Sequence, residues 1–151
     1  MTWTPLPQLT HPPIEWLGFA YYSPLLTGTK VCTEYPGAQG NKPYVDGPVL
    51  RTEAAGGTPA LEVMFDLDLI LHGYKGRNED GAKELSQRAT KLGSGLRNVT
   101  VMCPLTEDGP PLAWTIHDAW VSSEPTRQVD PIVNLPRFRS MVTWRVVGRA
   151  L

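Results

Sequence analysis

Apolar and polar residues alternate between Ala60 and Tyr74, with Leu61, Val63, Phe65, Leu67, Leu69 and Leu71 on one side and Glu62, Met64, Asp66, Asp68, Ile70 and His72 on the other. A period of two predicts a β-strand with one apolar face. After the turn residues Gly73 to Asn78 the period changes. Ala82, Leu85, Ala89, Leu92 and Leu96 recur at spacings of three and four, with Lys83, Glu84, Gln87, Arg88 and Lys91 between them. That spacing predicts an amphipathic helix from Glu79 to Leu96. Asn78 is placed to cap it, Glu79 and Asp80 put negative charge in its first turn, and Arg88 and Lys91 put positive charge late, as the helix dipole favours. Gly93 and Gly95 fray or end it.

The rest of the chain is patterned more weakly. Pro5, Pro7, Pro12 and Pro13 favour an extended arm over residues 1–13. Ile14, Trp16, Leu17, Ala20 and Tyr21 fall at near-helical spacing, so a short helix is expected over about 13–23, stopped or kinked by Pro24. Strands are expected at Thr29 to Tyr35 and at Pro43 to Thr52, the second interrupted at Gly47 and Pro48. Glu53 to Pro59 (EAAGGTP) reads as a flexible connection. A brief strand at Val99 to Cys103, a turn at Thr106 to Pro111, a strand from Leu112 to Trp120 and a last strand from Phe138 to Val146 follow. Ser122 to Pro136, with three prolines, reads as a long extended loop. These elements predict an α+β fold: a mainly antiparallel sheet packed by one long helix and a short N-terminal helix, fringed by extended arms and loops. Residues 1–13 are the arm, and 14–151 form a single domain.

Composition narrows the functional classes. At 151 residues the chain has the length of one domain. Charged residues are 19% of it and the formal net charge is −1, which lacks the basic signature of tight nucleic-acid binding. Cys32 and Cys103 stand in unrelated contexts and suggest neither a disulfide framework nor a zinc set, so buried free thiols are expected. No stretch approaches the roughly 20 apolar residues that span a bilayer, and a soluble, intracellular protein is expected.

Candidate chemistry is sparse. Asp66, Asp68 and His72 share one strand face, and His117 with Asp118 lies on another, a combination that could ligate a metal or do acid–base work. A sheet face open to solvent needs polar residues in any case, and none of the established metal spacings is present. Ser122 and Ser123 lack the GxSxG turn of a nucleophile. Gly76 to Gly81 is followed by Ala82 and Lys83, not by the Lys-Ser/Thr pair of a phosphate loop. No catalytic residue, cofactor or metal site is therefore expected. A partner interface has better candidates: Trp3 in the arm and Trp120 beside the long loop are aromatics outside the expected core. Arg127, Arg137 and Arg139 are the cationic candidates beside them.

The order of elements resembles the tail terminator, or tail completion, proteins of long-tailed bacteriophages. The residues that carry the resemblance are the N-terminal helix followed by VCTEYP (Val31 to Pro36), KPYV (Lys42 to Val45), ALEVMFDLDLILHGY (Ala60 to Tyr74) leading into EDGAKELSQRATKLGSGL (Glu79 to Leu96), and PRFRSMVTWRVVGR (Pro136 to Arg149). The resemblance covers most of the chain from about Ile14 onward; the arm and the 122–136 loop do not map onto it. It implies a structural subunit of the virion, assembled in the host cytoplasm. That subunit would form a homo-hexameric ring at the head-proximal end of the tail tube, end tube polymerisation and join tail to neck. The partners implied are the major tail tube protein and the head–tail connector or stopper. DNA would pass through the lumen without specific binding, and neither membrane nor cofactor is involved. The competing readings are another neck connector or stopper, a tail tube subunit, a small metal-dependent enzyme using Asp66, Asp68, His72 or His117, and a nucleic-acid adaptor. The adaptor would draw a basic stripe from Arg88, Arg97, Arg127, Arg137, Arg139 and Arg145.

Overall fold

The structure, a computed structural model, describes residues 8–35, 47–61 and 63–150. Trp3, most of the arm, and the Lys42 to Val45 entry to the second expected strand lie outside the described residues. The described elements are β1 (Leu9–Thr10), α1 (Ile14–Leu25), β2 (Lys30–Cys32), β3 (Pro48–Leu61), β4 (Met64–Lys75), α2 (Glu79–Leu92), β5 (Arg97–Pro104), β6 (Pro111–Val129), β7 (Pro136–Val147) and β8 (Arg149–Ala150).

β1 and β8 pair with each other, and the other six strands form one sheet in the order β2-β3-β4-β7-β6-β5. Among the described strand pairs only β2–β3 is parallel. The sheet curls so far that α1 touches β2 and β3 near one edge and β5 at the other.

The inner face carries Leu50, Leu67, Leu69, Leu71, Val142, Trp144, Val146 and Ile116, all essentially buried. α1 and α2 fill the curl together. Gly18 lets α1 approach Leu69, because a Cβ there would lie 2.8 Å from a Leu69 methyl. Gly73 does the same for α2: a Cβ would lie 3.1 Å from Ala82 O, Ser86 Cβ and Ser86 N. Polar atoms on this inner face are paired inward, Ser86 Oγ with Phe138 O at 3.2 Å and Thr90 with Ser140 at 2.7 Å. α2 therefore buries two hydroxyls without leaving them unsatisfied.

The expected α+β fold is corrected. The structure is mostly β, with 55% of the described residues in strands and 20% in two helices of 12 and 14 residues; one long helix does not cover a sheet. Two stretches read as loops account for the difference. Glu53 to Pro59 is part of β3, an edge segment exposed from Ala54 to Pro59, so no apolar alternation marks it. Ser122 to Val129 continues β6 past two register shifts around Ser123, which break the alternation by which a strand is read.

The boundaries differ as well. β3 pairs Leu61 with Met64 of β4, so the alternating run from Ala60 crosses a hairpin; Val63 at the reversal is 48% exposed. α1 runs on to Leu25 with Pro24 in its last turn, and α2 stops at Leu92: Gly93 N still bonds Ala89 O, and the chain then turns through Gly95 (φ 68°), whose N–H pairs with Ala119 O of β6. The chain is therefore richer in sheet than the α+β fold expected for it.

Candidate functional site

The outer face of the sheet carries the charged side chains. In register along it, β4 presents Asp66, Asp68, Ile70, His72 and Tyr74 opposite Arg145, Thr143, Met141, Arg139 and Arg137 of β7. Each acid finds a different neighbour. Arg145 grips Asp66 with two nitrogens, at 2.8 and 3.1 Å, and lies over the Trp120 ring at 5.4 Å. Asp68 accepts from the Thr143 hydroxyl at 2.7 Å, and that hydroxyl also meets Ser122. Asp118 sits 3.6 Å from Arg97, and His117 Nδ1 lies 3.0 Å from Asn98.

His72 is drawn away from these groups. Its Nε2 donates to Glu53 Oε2 at 2.6 Å, and its Nδ1 is buried without a partner. Burial holds its pKa down to about 4, with Arg137 and Arg51 acting the same way against the pull of Glu53. The ring is therefore neutral with the proton on Nε2. Burial works against the Glu53 carboxylate, yet the His72 hydrogen bond and the nearby Arg51 and Arg137 leave its pKa lowered. The side chains weighed for metal or acid–base chemistry thus lie apart, and among the described residues no group of three or more His, Cys, Asp or Glu could hold a metal ion. Both thiols are free; burial raises each to a pKa of about 11.

At the end of the sheet where β6 passes to β7, the outer face is covered. Asp130, 3% exposed, accepts from Tyr74 Oη at 2.5 Å, Arg137 Nη1 at 2.8 Å, and the backbone N–H groups of Ile132 and Val133 at 2.8 and 3.3 Å. Its own backbone closes the turn, through Asp130 N to Leu135 O at 2.9 Å and Asn134 N to Asp130 O at 2.8 Å. Burial opposes the charge on Asp130, but these donors and Arg137 more than compensate and lower its pKa. Tyr74, buried and facing that carboxylate, is raised to about 12. Leu135 and Val133 pack with Tyr35, Val49 and Tyr74 in a small second core.

Four of the five interface candidates can now be placed. Trp120 is half-buried beneath Arg145. Arg127 pairs with Glu79 at the start of α2, at 2.5 Å. Arg137 is 16% exposed and spent on Asp130 and Gln128, so it braces a turn and is not offered to a partner. Arg139 lies between His72 and Thr126 in register and, among the described residues, is in no ion pair. The four share no contiguous patch, because Arg127 faces α2 while Arg137, Arg139 and Trp120 lie on the outer face. Glu53 was missed because its segment carries no strand pattern. Asp130 had a visible signal in Asp130-Pro131 with Asn134 four positions on, which is turn chemistry.

Exposed apolar residues mark a different surface. Phe19 (44% exposed) on α1 borders a groove of about 590 Å³ that Trp16, Ala20 and Val31 also line, with Lys30, Glu34 and Glu107 at its rim. Ile132, at the tip of the Asp130 turn, is 71% exposed. Neither a protein-family model nor a curated protein matches this chain.

Proposed function

We propose that the chain is a structural subunit that works by joining copies of itself head to tail in a ring, the ring that caps the head-proximal end of a phage tail tube. One observation carries the head-to-tail part. Among the described residues the sheet has two unlike open edges: β3 beyond Thr52, where β2 no longer pairs with it, and β6 beyond Ala119, where β5 no longer does. Unlike surfaces meet in heterologous contacts, which close into rings or run on as filaments, whereas a two-fold dimer needs one surface that matches itself. Gly56 (φ 110°) with its register shift interrupts the β3 edge, and Pro125 with neighbouring shifts interrupts the β6 edge. Edges broken in this way resist open-ended sheet extension, which suits a part that stops growth.

The placement at a tail tube rests on the resemblance carried by Val31 to Pro36, Ala60 to Tyr74, Glu79 to Leu96 and Pro136 to Arg149. The test is electron microscopy of the purified protein mixed with tail tubes. Rings on one end of each tube are expected. Unbounded polymer would point to a tube subunit instead, and no association would overturn the reading.

A further inference from the structure

We propose that the turn Pro131–Val133 of one copy inserts Ile132 into the groove between α1 and β2 of the next copy. This rests on the ring reading above and names one contact within it. The turn is exposed but not loose. Six hydrogen bonds centred on Asp130 fix it, with Val133 and Leu135 anchored in the second core, so a large aliphatic side chain is held rigidly in water. A rigid apolar anchor loses little conformational freedom on docking, which is the property of an interface hot spot.

The groove has the matching chemistry. Its apolar lining includes Trp16, Phe19, Ala20 and Val31, and its volume of about 590 Å³ suits a short turn better than a single side chain. The turn does not fill the groove of its own copy, since Ile132 is 71% exposed.

Charge favours a second copy as the occupant. The end of the sheet that bears the turn also bears exposed Lys75 and Arg77, at and just beyond the end of β4. The groove rim bears exposed Glu107, with Asp108 beside it. Among the described residues none of these four is in an ion pair. Lys30 and Glu34 also stand on the rim, so the attraction is local to the β5–β6 turn. Turn and groove are different surfaces, so the contact is heterologous, as a ring requires.

The test is disulfide trapping in the full chain. Equimolar Ile132→Cys and Phe19→Cys proteins under mild oxidation are expected to give a covalent heterodimer well above either variant alone, and the double variant a ladder that stops at a closed ring. Both positions are exposed, and the native thiols stay protonated at neutral pH, which keeps background exchange low. Ile132→Glu should keep the wild-type thermal transition while lowering ring occupancy on tube ends by about tenfold or more. No heterodimer above the controls, together with wild-type rings still capping tubes, would overturn this contact and leave the ring reading standing. Neither trapping nor rings would sink both. Trapping without tube capping would support the contact and remove the tail assignment.

Discussion

Glu53 Oε2 and His72 Nε2 lie 2.6 Å apart across the β3–β4 pair, and the other nitrogen of the same ring is buried with nothing to bond. A neutral ring tolerates that position, because bare Nδ1 is an unfilled acceptor. Protonation would turn it into a buried donor with no acceptor, and burial together with Arg137 and Arg51 opposes the added charge. The His72 pKa is about 4 in the fold against an ordinary 6.5, so the unfolded chain binds more protons between those values. Stability should be full above about pH 6.5 and decline as the pH falls towards 4. The lowered Glu53 pKa acts in the same direction, its contribution being lost as acid neutralises the carboxylate. Urea midpoints at pH 7, 5.5 and 4.5 should fall in that order, and His72→Gln should flatten the upper part of the trend. A midpoint independent of pH over that range would contradict a neutral buried ring.

Asp130 holds a turn together from inside, so its removal should cost more than an exposed acid would. Asp130→Ala leaves Arg137 and Tyr74 without their shared acceptor, and about 3 kcal/mol of destabilisation is expected, as for one half of a buried ion pair. Tyr74→Phe removes a single hydrogen bond and should cost about 1 kcal/mol. Chemical denaturation of the two variants gives the comparison, and near-equal small losses would mean the turn is held by its apolar contacts alone.

Gly73 is where α2 rests directly on β4. Its φ is ordinary, so the argument is space: an added Cβ lies 3.1 Å from the α2 backbone. Gly73→Val should cost about 2 kcal/mol or more by forcing helix and strand apart. Gly28→Ala is a contrast, because nothing lies within 4 Å of its Cβ and its cost comes only from a φ of 83°. Melting temperatures should rank wild type above Gly28→Ala and Gly28→Ala above Gly73→Val.

Trp144 ties the two helices to the sheet. It is fully buried, its Nε1 donates to Gly93 O at 2.8 Å, and its ring meets Tyr21 and Tyr22 at 5.3 and 6.2 Å. Trp144→Ala should cost about 3–5 kcal/mol, a large part of the stability of a domain this size. A loss under 1 kcal/mol by denaturant titration would mean the cavity collapses freely.

Legibility in the sequence followed burial. β4, α2 and β7 each put a regular apolar series against the core, and their existence could be read from Leu67, Leu69 and Leu71, from Ala82, Leu85 and Ala89, and from Val142, Trp144 and Val146. The edge half of β3 could not be read, because it is exposed on both faces and carries no period, and the far half of β6 could not because register shifts break its alternation. Without them the pattern predicts helix on sheet. The same blindness hid Glu53, whose role depends on a cross-strand neighbour 19 residues away. Arg137 was legible as a cation but not as a brace, since its acceptor lies beyond a turn that pattern alone reads as loop. The Ile132 tip and the α1 groove left no signal, as neither is defined until the chain folds.

The carbonyls that end α2 are not left to water. Tyr22 Oη donates to Ala89 O at 2.7 Å, Tyr21 Oη to Leu92 O at 2.5 Å, and Trp144 Nε1 to Gly93 O. Their donors come from α1 and β7, so the last turn cannot unwind without breaking contacts some fifty to seventy residues away. Fraying, the cheapest opening available to most helices, is closed off here. Amides of that turn should exchange with solvent only as the whole molecule opens, making the end of α2 one of its slowest clocks.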